Sequence, residues 1–184
     1  WMRNMEIAPD GKSLFVAVGS ASNIGERGME AEEGRAMIWE YNLETKRQRQ
    51  YAVGLRNANG LDFSPWTGEV WTTVNERDML GSDLVPDYLT SVKDGAFYGW
   101  PWSYFGQNVD TRVKPANPDM VAKAIAPDYG LGAHVAPLGM TFSDARMPAA
   151  FASGAFIGQQ PSDDHRRIDG RFTKLADNRL FDSQ

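Results

Sequence analysis

Two short polar phrases hold the residues best suited to chemistry. One is Gly-Leu-Arg-Asn-Ala-Asn-Gly at residues 54–60. The other is Asn-Glu-Arg-Asp at residues 75–78, followed at a short distance by Asp83. Arg56 offers five N–H donors in a planar fork that matches a carboxylate bidentately. Asn57 adds a neutral donor and acceptor beside it, and the flanking glycines let a ligand approach the backbone closely. The pairing suits a flat anionic ligand, and it equally suits a structural arginine that ties one unit of the fold to the next. Glu76, Asp78, Asp83 and Asp87 carry oxygens that a hard cation accepts, but they miss the D-x-[DN]-x-[DN]-G spacing of a dedicated calcium loop. Glu30, Glu32 and Glu33 invite comparison with the carboxylate pair of a glycoside hydrolase. With no accompanying cleft signal, they are expected in a solvated loop. Phe97, Tyr98, Trp100, Trp102, Tyr104 and Phe105 are expected in packing, with stacking on a sugar as the alternative.

Composition narrows the chemistry further. The 184 residues include no Cys and only two His, His134 and His165. Disulfides, thiolate catalysis and Cys-held metals are thereby excluded. The chain has no H-E-x-x-H pair, G-x-G-x-x-G loop, P-loop or G-x-S-x-G elbow, so zinc-protease, nucleotide and serine-hydrolase readings lack support. Any redox reaction must come from a bound cofactor. A net charge of −5 argues against a nucleic-acid surface, and the basic runs at residues 46–49 and 165–167 are short solvated patches. No apolar run is long enough to span a membrane as a helix. The aromatic content of 11% is enough to bury a substantial core.

The elements that must position these residues read as hairpins. Residues 5–18 give a strand, a Pro-Asp-Gly turn at 9–11 and a second strand. The design recurs at residues 61–74 around Pro65 and Gly68, and more weakly at 138–142 with 154–158. Another hairpin lies at 36–41 and 50–53. A four-stranded unit of this length, repeated, predicts β-propeller blades; a sandwich of unrelated hairpins is the alternative. Residues 28–35 are a helical turn or an ordered loop, and 85–92 are ambiguous. Residues 79–133, with five prolines, are expected as a long insertion between blade strands. About three blades fit in the chain, so open blade edges offer a route to self-association.

Residues 54–104, GLRNANGLDFSPWTGEVWTTVNERDMLGSDLVPDYLTSVKDGAFYGWPWSY, closely resemble the soluble pyrroloquinoline-quinone (PQQ) dependent sugar dehydrogenases, in the L-sorbosone and aldose dehydrogenase branch. WMRNMEIAPDGKSLFVAVGSASN at the start, GMEAEEGRAMIWEYN at 28–42 and HVAPLGMTF at 134–142 resemble the same family. The likeness covers about residues 1–159, and the polar stretch 160–184 departs from it.

The resemblance implies an all-β fold, a partial six-bladed β-propeller of about three blades. It implies PQQ across the channel mouth, a calcium ion that polarises the quinone, and oxidation of an aldose or sugar aldehyde with electrons passed to an external acceptor. Arg56, Asn57 and Asn75 match cofactor-side positions. Glu76 and Arg77 match positions whose main-chain carbonyls hold the calcium, and Asp83 matches an acidic residue facing substrate. His134 is structural or channel-lining. The family base is a histidine directly before a Trp-x-Arg-Asn phrase, which here begins at Trp1. A chain starting there is therefore expected to be a fragment, inactive alone. The alternative is a non-catalytic propeller segment that binds carbohydrate or a protein. Relatives imply a periplasmic or extracellular location.

Overall fold

A computed structural model describes residues 2–144 and 146–160, and the backbone of 171–175. The strands are β1 (Met2–Ile7), β2 (Ser13–Val18), β3 (Met37–Asn42), β4 (Gln48–Val53), β5 (Asn57–Phe63), β6 (Val70–Asn75), β7 (Pro86–Ser91), β8 (Ser103–Tyr104), β9 (Asn108–Val109), β10 (Tyr129–Ala133), β11 (Pro137–Phe142), β12 (Ala155–Gln159) and β13 (Arg171–Leu175). One short helix, α1, spans Pro118–Val121.

Antiparallel strands form three main sheets, ordered β1-β2-β3-β4, β10-β7-β6-β5 and β11-β12-β13, with β8 and β9 as a small ribbon. The turns explain the pairing. In the first hairpin Gly11 adopts φ 71°, a conformation cheap only for glycine, and the Asp10 carboxylate accepts the Lys12 amide at 2.9 Å. Ser64 plays the same part before Gly68, its hydroxyl accepting the Trp66 and Thr67 amides. Burial along β2 alternates between buried and half-buried residues, the period expected of a blade strand. The chain is thus a partial β-propeller of three sheets.

The first strand of each sheet lies against the first strand of the next: β1 packs on β5, and β5 on β11. Two apolar clusters fill the spaces between sheets. Phe15, Ile38, Leu55, Leu61, Val74 and Tyr88 anchor one, and Trp71, Leu89, Phe142 and Ile157 the other. Phe15 meets Tyr51 edge-on at 4.8 Å between ring centroids, a favoured aromatic geometry. The second and third sheets interlock at Gly60, where a Cβ would lie 2.7 Å from the Met140 amide nitrogen; the close approach requires glycine.

All four expected hairpins form. Residues 28–35 contain a 3-10 turn over Met29–Glu32, and the ambiguous stretch 85–92 is mostly β7. Part of the segment expected as an insertion belongs to a blade, since β7 and β10 are two of the four strands of the second sheet. Within the expected polar tail, the backbone of β13 pairs with β12; the rest of 161–184 lies outside the described residues, as does Trp1. Glu32 corrects the expectation of a solvated acidic loop. It is 4% exposed, because its carboxylate accepts the Ala21 amide at 2.7 Å and the Ser22 hydroxyl. Phe97, Tyr98 and Trp100 are buried, as packing requires. No helix among the described residues is long and apolar enough to cross a membrane.

Candidate functional site

A polar cavity of about 260 Å³ opens where the starts of β1 and β5 meet the ends of β6 and β10. Arg3, Arg56, Asn57, Asn75, Glu76 and His134 are among the residues that line it. The two phrases singled out by spacing converge here, since Asn57 on β5 and Asn75 on β6 are direct cross-strand partners. Asn75 ends β6, so Glu76 and Arg77 begin the loop at the cavity wall. Asp83 lies further along that loop, exposed and off the cavity lining.

The Arg56 guanidinium is largely buried and fully engaged. Its Nε donates to the Asn23 carbonyl at 3.2 Å, and Nη2 donates to Asn23 Oδ1 at 2.9 Å. Nη1 donates to the Glu76 carbonyl, and Nη2 also reaches Asp78 at 3.4 Å. Arg56 therefore performs the structural role left open by its sequence while its charge remains on the cavity wall. Asn23 completes the tie. Its Oδ1 accepts the Asp78 amide at 2.9 Å, its Nδ2 donates to the Asp78 carbonyl at 3.1 Å, and its own carbonyl accepts the Trp100 indole N–H at 2.9 Å.

Arg3 brings a second cation, donating from Nη2 to Asn57 Oδ1 at 2.9 Å. Burial, and then the charge of Arg56, push its pKa down. The two guanidiniums repel one another, so a shared anion would relieve both. His134 adopts a left-handed backbone with φ 57°, which turns its ring toward the loop after β6. Its Nε2 lies 3.0 Å from the Gly81 carbonyl and its Nδ1 3.6 Å from Asp78.

The carboxylates have distinct tasks. Asp87 accepts the Glu76 amide at 2.7 Å and the Ala136 amide at 2.9 Å; burial nevertheless pushes its pKa up. It is a brace rather than a free ligand. Glu76 accepts the Arg77 amide on Oε2. Its Oε1 and the nearby Asn75 Oδ1 are buried without a hydrogen-bond partner, and burial raises the Glu76 pKa to about 7. Among the described residues no cluster of three or more His, Asp or Glu side chains is poised to hold a metal.

Sequence reasoning did not assign Arg3 or Asn23 to the site. Arg3 was within reach, as the arginine of the Trp-x-Arg-Asn phrase. Asn23 carries no local signal of this role, since the partners that place it at the site are 33 to 77 residues away.

Three blade-like sheets with adjacent inner strands and a polar cavity at their ends, lined by two arginines, three asparagines and three carboxylates, define the class, a propeller segment with a polar mouth. The sequence model of the glucose/sorbosone dehydrogenase family matches residues 3–171, and the chain belongs to that family. An uncharacterised protein of Borreliella burgdorferi is 30% identical over 162 residues, covering 87% of this chain and 41% of that protein. Aldose sugar dehydrogenase YliI of Escherichia coli is 27% identical over 125 residues, covering 67% of this chain and 29% of the enzyme. Among solved structures, the holo form of the PQQ domain of pyranose dehydrogenase from Coprinopsis cinerea superposes with a TM-score of 0.69. That match is 17% identical and covers 94% of this chain and 55% of the other. The chain thus spans about half or less of the proteins it matches, and the last likeness speaks to fold alone.

Proposed function

We propose that this chain supplies the cofactor seat of a PQQ- and calcium-dependent dehydrogenase that oxidises an aldose or sugar aldehyde and passes electrons to an external acceptor. The observation that carries the reading is the meeting of Arg3 and Arg56 with three asparagines in one cavity, which Glu76, Asp78 and Asp87 also line. A quinone bearing three carboxylates needs cations in its seat, and the two guanidiniums supply them. The fit is chemical: two guanidiniums and amide donors on Asn57 and Asn59 suit the carboxylates, and the unpartnered oxygen of Asn75 suits a cation beside them.

When bound, PQQ supplies the two-electron acceptor for the sugar. The chain's own residues do the holding. Arg56 and Arg3 neutralise carboxylate charge, and Asn57 and Asn75 supply directional hydrogen bonds. Calcium falls to Glu76 and Arg77. The Glu76 carbonyl already accepts from Arg56, so a cation there draws on its second lone pair, with Glu76 Oε1 and Asn75 Oδ1 as the spare oxygens of the wall. Asp83, exposed on the same loop, is the proposed substrate contact. A periplasmic or extracellular location goes with the family reading.

Absorbance titration with PQQ and Ca²⁺ tests the reading. Saturable PQQ binding is the expected result. No saturable binding contradicts the cofactor seat and favours a non-catalytic segment that binds carbohydrate or a protein.

A further inference from the structure

We propose that residues 110–112 form a clamp that positions the cavity wall at residues 76–79, with Asp110 and Arg112 as positioning residues for the cofactor seat; this rests on the cofactor reading above. Asp110 and Arg77 are 5% and 3% exposed, and Asp110 Oδ2 lies 3.0 Å from Arg77 Nε, an ion pair by proximity whose angle makes no hydrogen bond. Asp110 is itself held from two sides. Its amide donates to the Trp102 carbonyl at 2.9 Å, and its Oδ1 accepts the Arg112 amide at 2.9 Å. That turn aims the Arg112 guanidinium at the Met79 carbonyl.

Met79 is 78% exposed with φ 68°, a conformation unfavourable for methionine unless something holds it. The loop is therefore gripped at Arg77 and Met79 from one side and at Asp78 by Asn23 from the other. Glu76 and Asp78, between and beside these grips, line the cavity. A buried ion pair adds little stability over a packed apolar pair, and Arg112 sits at the surface. Their value lies in geometry. A wall displaced by about 1 Å is enough to cost a large factor in a positioned site. The segment between β7 and β10 thus acts as the support of the seat.

The test compares Asp110→Asn, Asp110→Glu and Arg112→Gln with the unaltered chain, by amide hydrogen exchange without ligand and by PQQ titration with Ca²⁺. Arg112→Gln changes a surface residue, so the test survives if Asp110→Asn fails to fold. Exchange at residues 76–79 is expected to speed up roughly tenfold in Asp110→Asn, while β2, β3 and β6 keep their rates. The PQQ Kd is expected to rise about tenfold in Asp110→Asn and about threefold in Arg112→Gln, with Asp110→Glu recovering part of the loss. Unchanged exchange at 76–79 overturns the clamp. Faster exchange with unchanged PQQ affinity overturns its role in the seat. If the unaltered chain binds no PQQ, the cofactor reading falls, and the exchange rates still decide the clamp.

Discussion

The Arg3 guanidinium donates to the Asn57 side-chain oxygen at 2.9 Å, joining the inner strands of two neighbouring sheets across 54 residues of chain. The bond orients Asn57 so that its amide N–H groups remain for a ligand. It also places Arg3 beside Arg56, which lowers the Arg3 pKa after burial has done so. Asp78, 3.4 Å from Arg56 Nη2, offsets part of that charge, and a carboxylate ligand would offset more.

Arg3→Gln should therefore weaken PQQ binding about tenfold while changing stability little, since Arg3 is exposed and its bond to Asn57 is of the kind contributing about 1 kcal/mol. Titration at two salt concentrations checks this. The unaltered chain should lose affinity with salt more steeply than the variant.

Asn23→Ala should do the opposite, damaging stability first. It strips partners from Arg56 and Asp78 together and leaves a largely buried guanidinium under-satisfied, at a cost of about 2–3 kcal/mol. Urea unfolding measures it. A loss below about 0.5 kcal/mol, the range of an ordinary surface change, would remove Asn23 from the centre of the account.

Glu76 should impose a pH dependence on the stability of the metal-free chain. Burial raises its pKa from 4.5 to about 7, so the folded state holds a proton that the unfolded state releases. Its contribution is fully present below pH 4.5 and is lost as pH rises through about 7, a change on the order of 3 kcal/mol. Unfolding midpoints should fall across that window and level off above it. Glu76→Gln, which keeps an oxygen for the Arg77 amide, should flatten the curve.

Local signals explain what the sequence made legible. Pro9-Asp10-Gly11 and the Ser64–Gly68 turn announce their hairpins within a few residues, because the turn glycines and side-chain oxygens act locally. The convergence of 56–57 with 75–77 was legible for the same reason, since one hairpin brings them opposite each other. Glu32 was not, because its partners at 21 and 22 exist only once the loop has closed. Asp110 was not, because an ion pair with Arg77, 33 residues earlier, leaves no periodic trace. β7 was obscured because strand-like residues in a proline-rich context read either way.

The central claim is that the cavity around Arg56 seats a triply acidic quinone. Absorbance titration of the chain with PQQ in the presence of Ca²⁺, alongside Arg56→Lys, tests it most directly. Lysine keeps the charge but cannot reproduce the fork that ties Asn23 to the Glu76 carbonyl and Asp78, which shapes the cavity wall. The account predicts one saturable site in the unaltered chain, weakened at least about tenfold in the variant. No saturable binding, or equal affinity in a variant that is still folded, would contradict it.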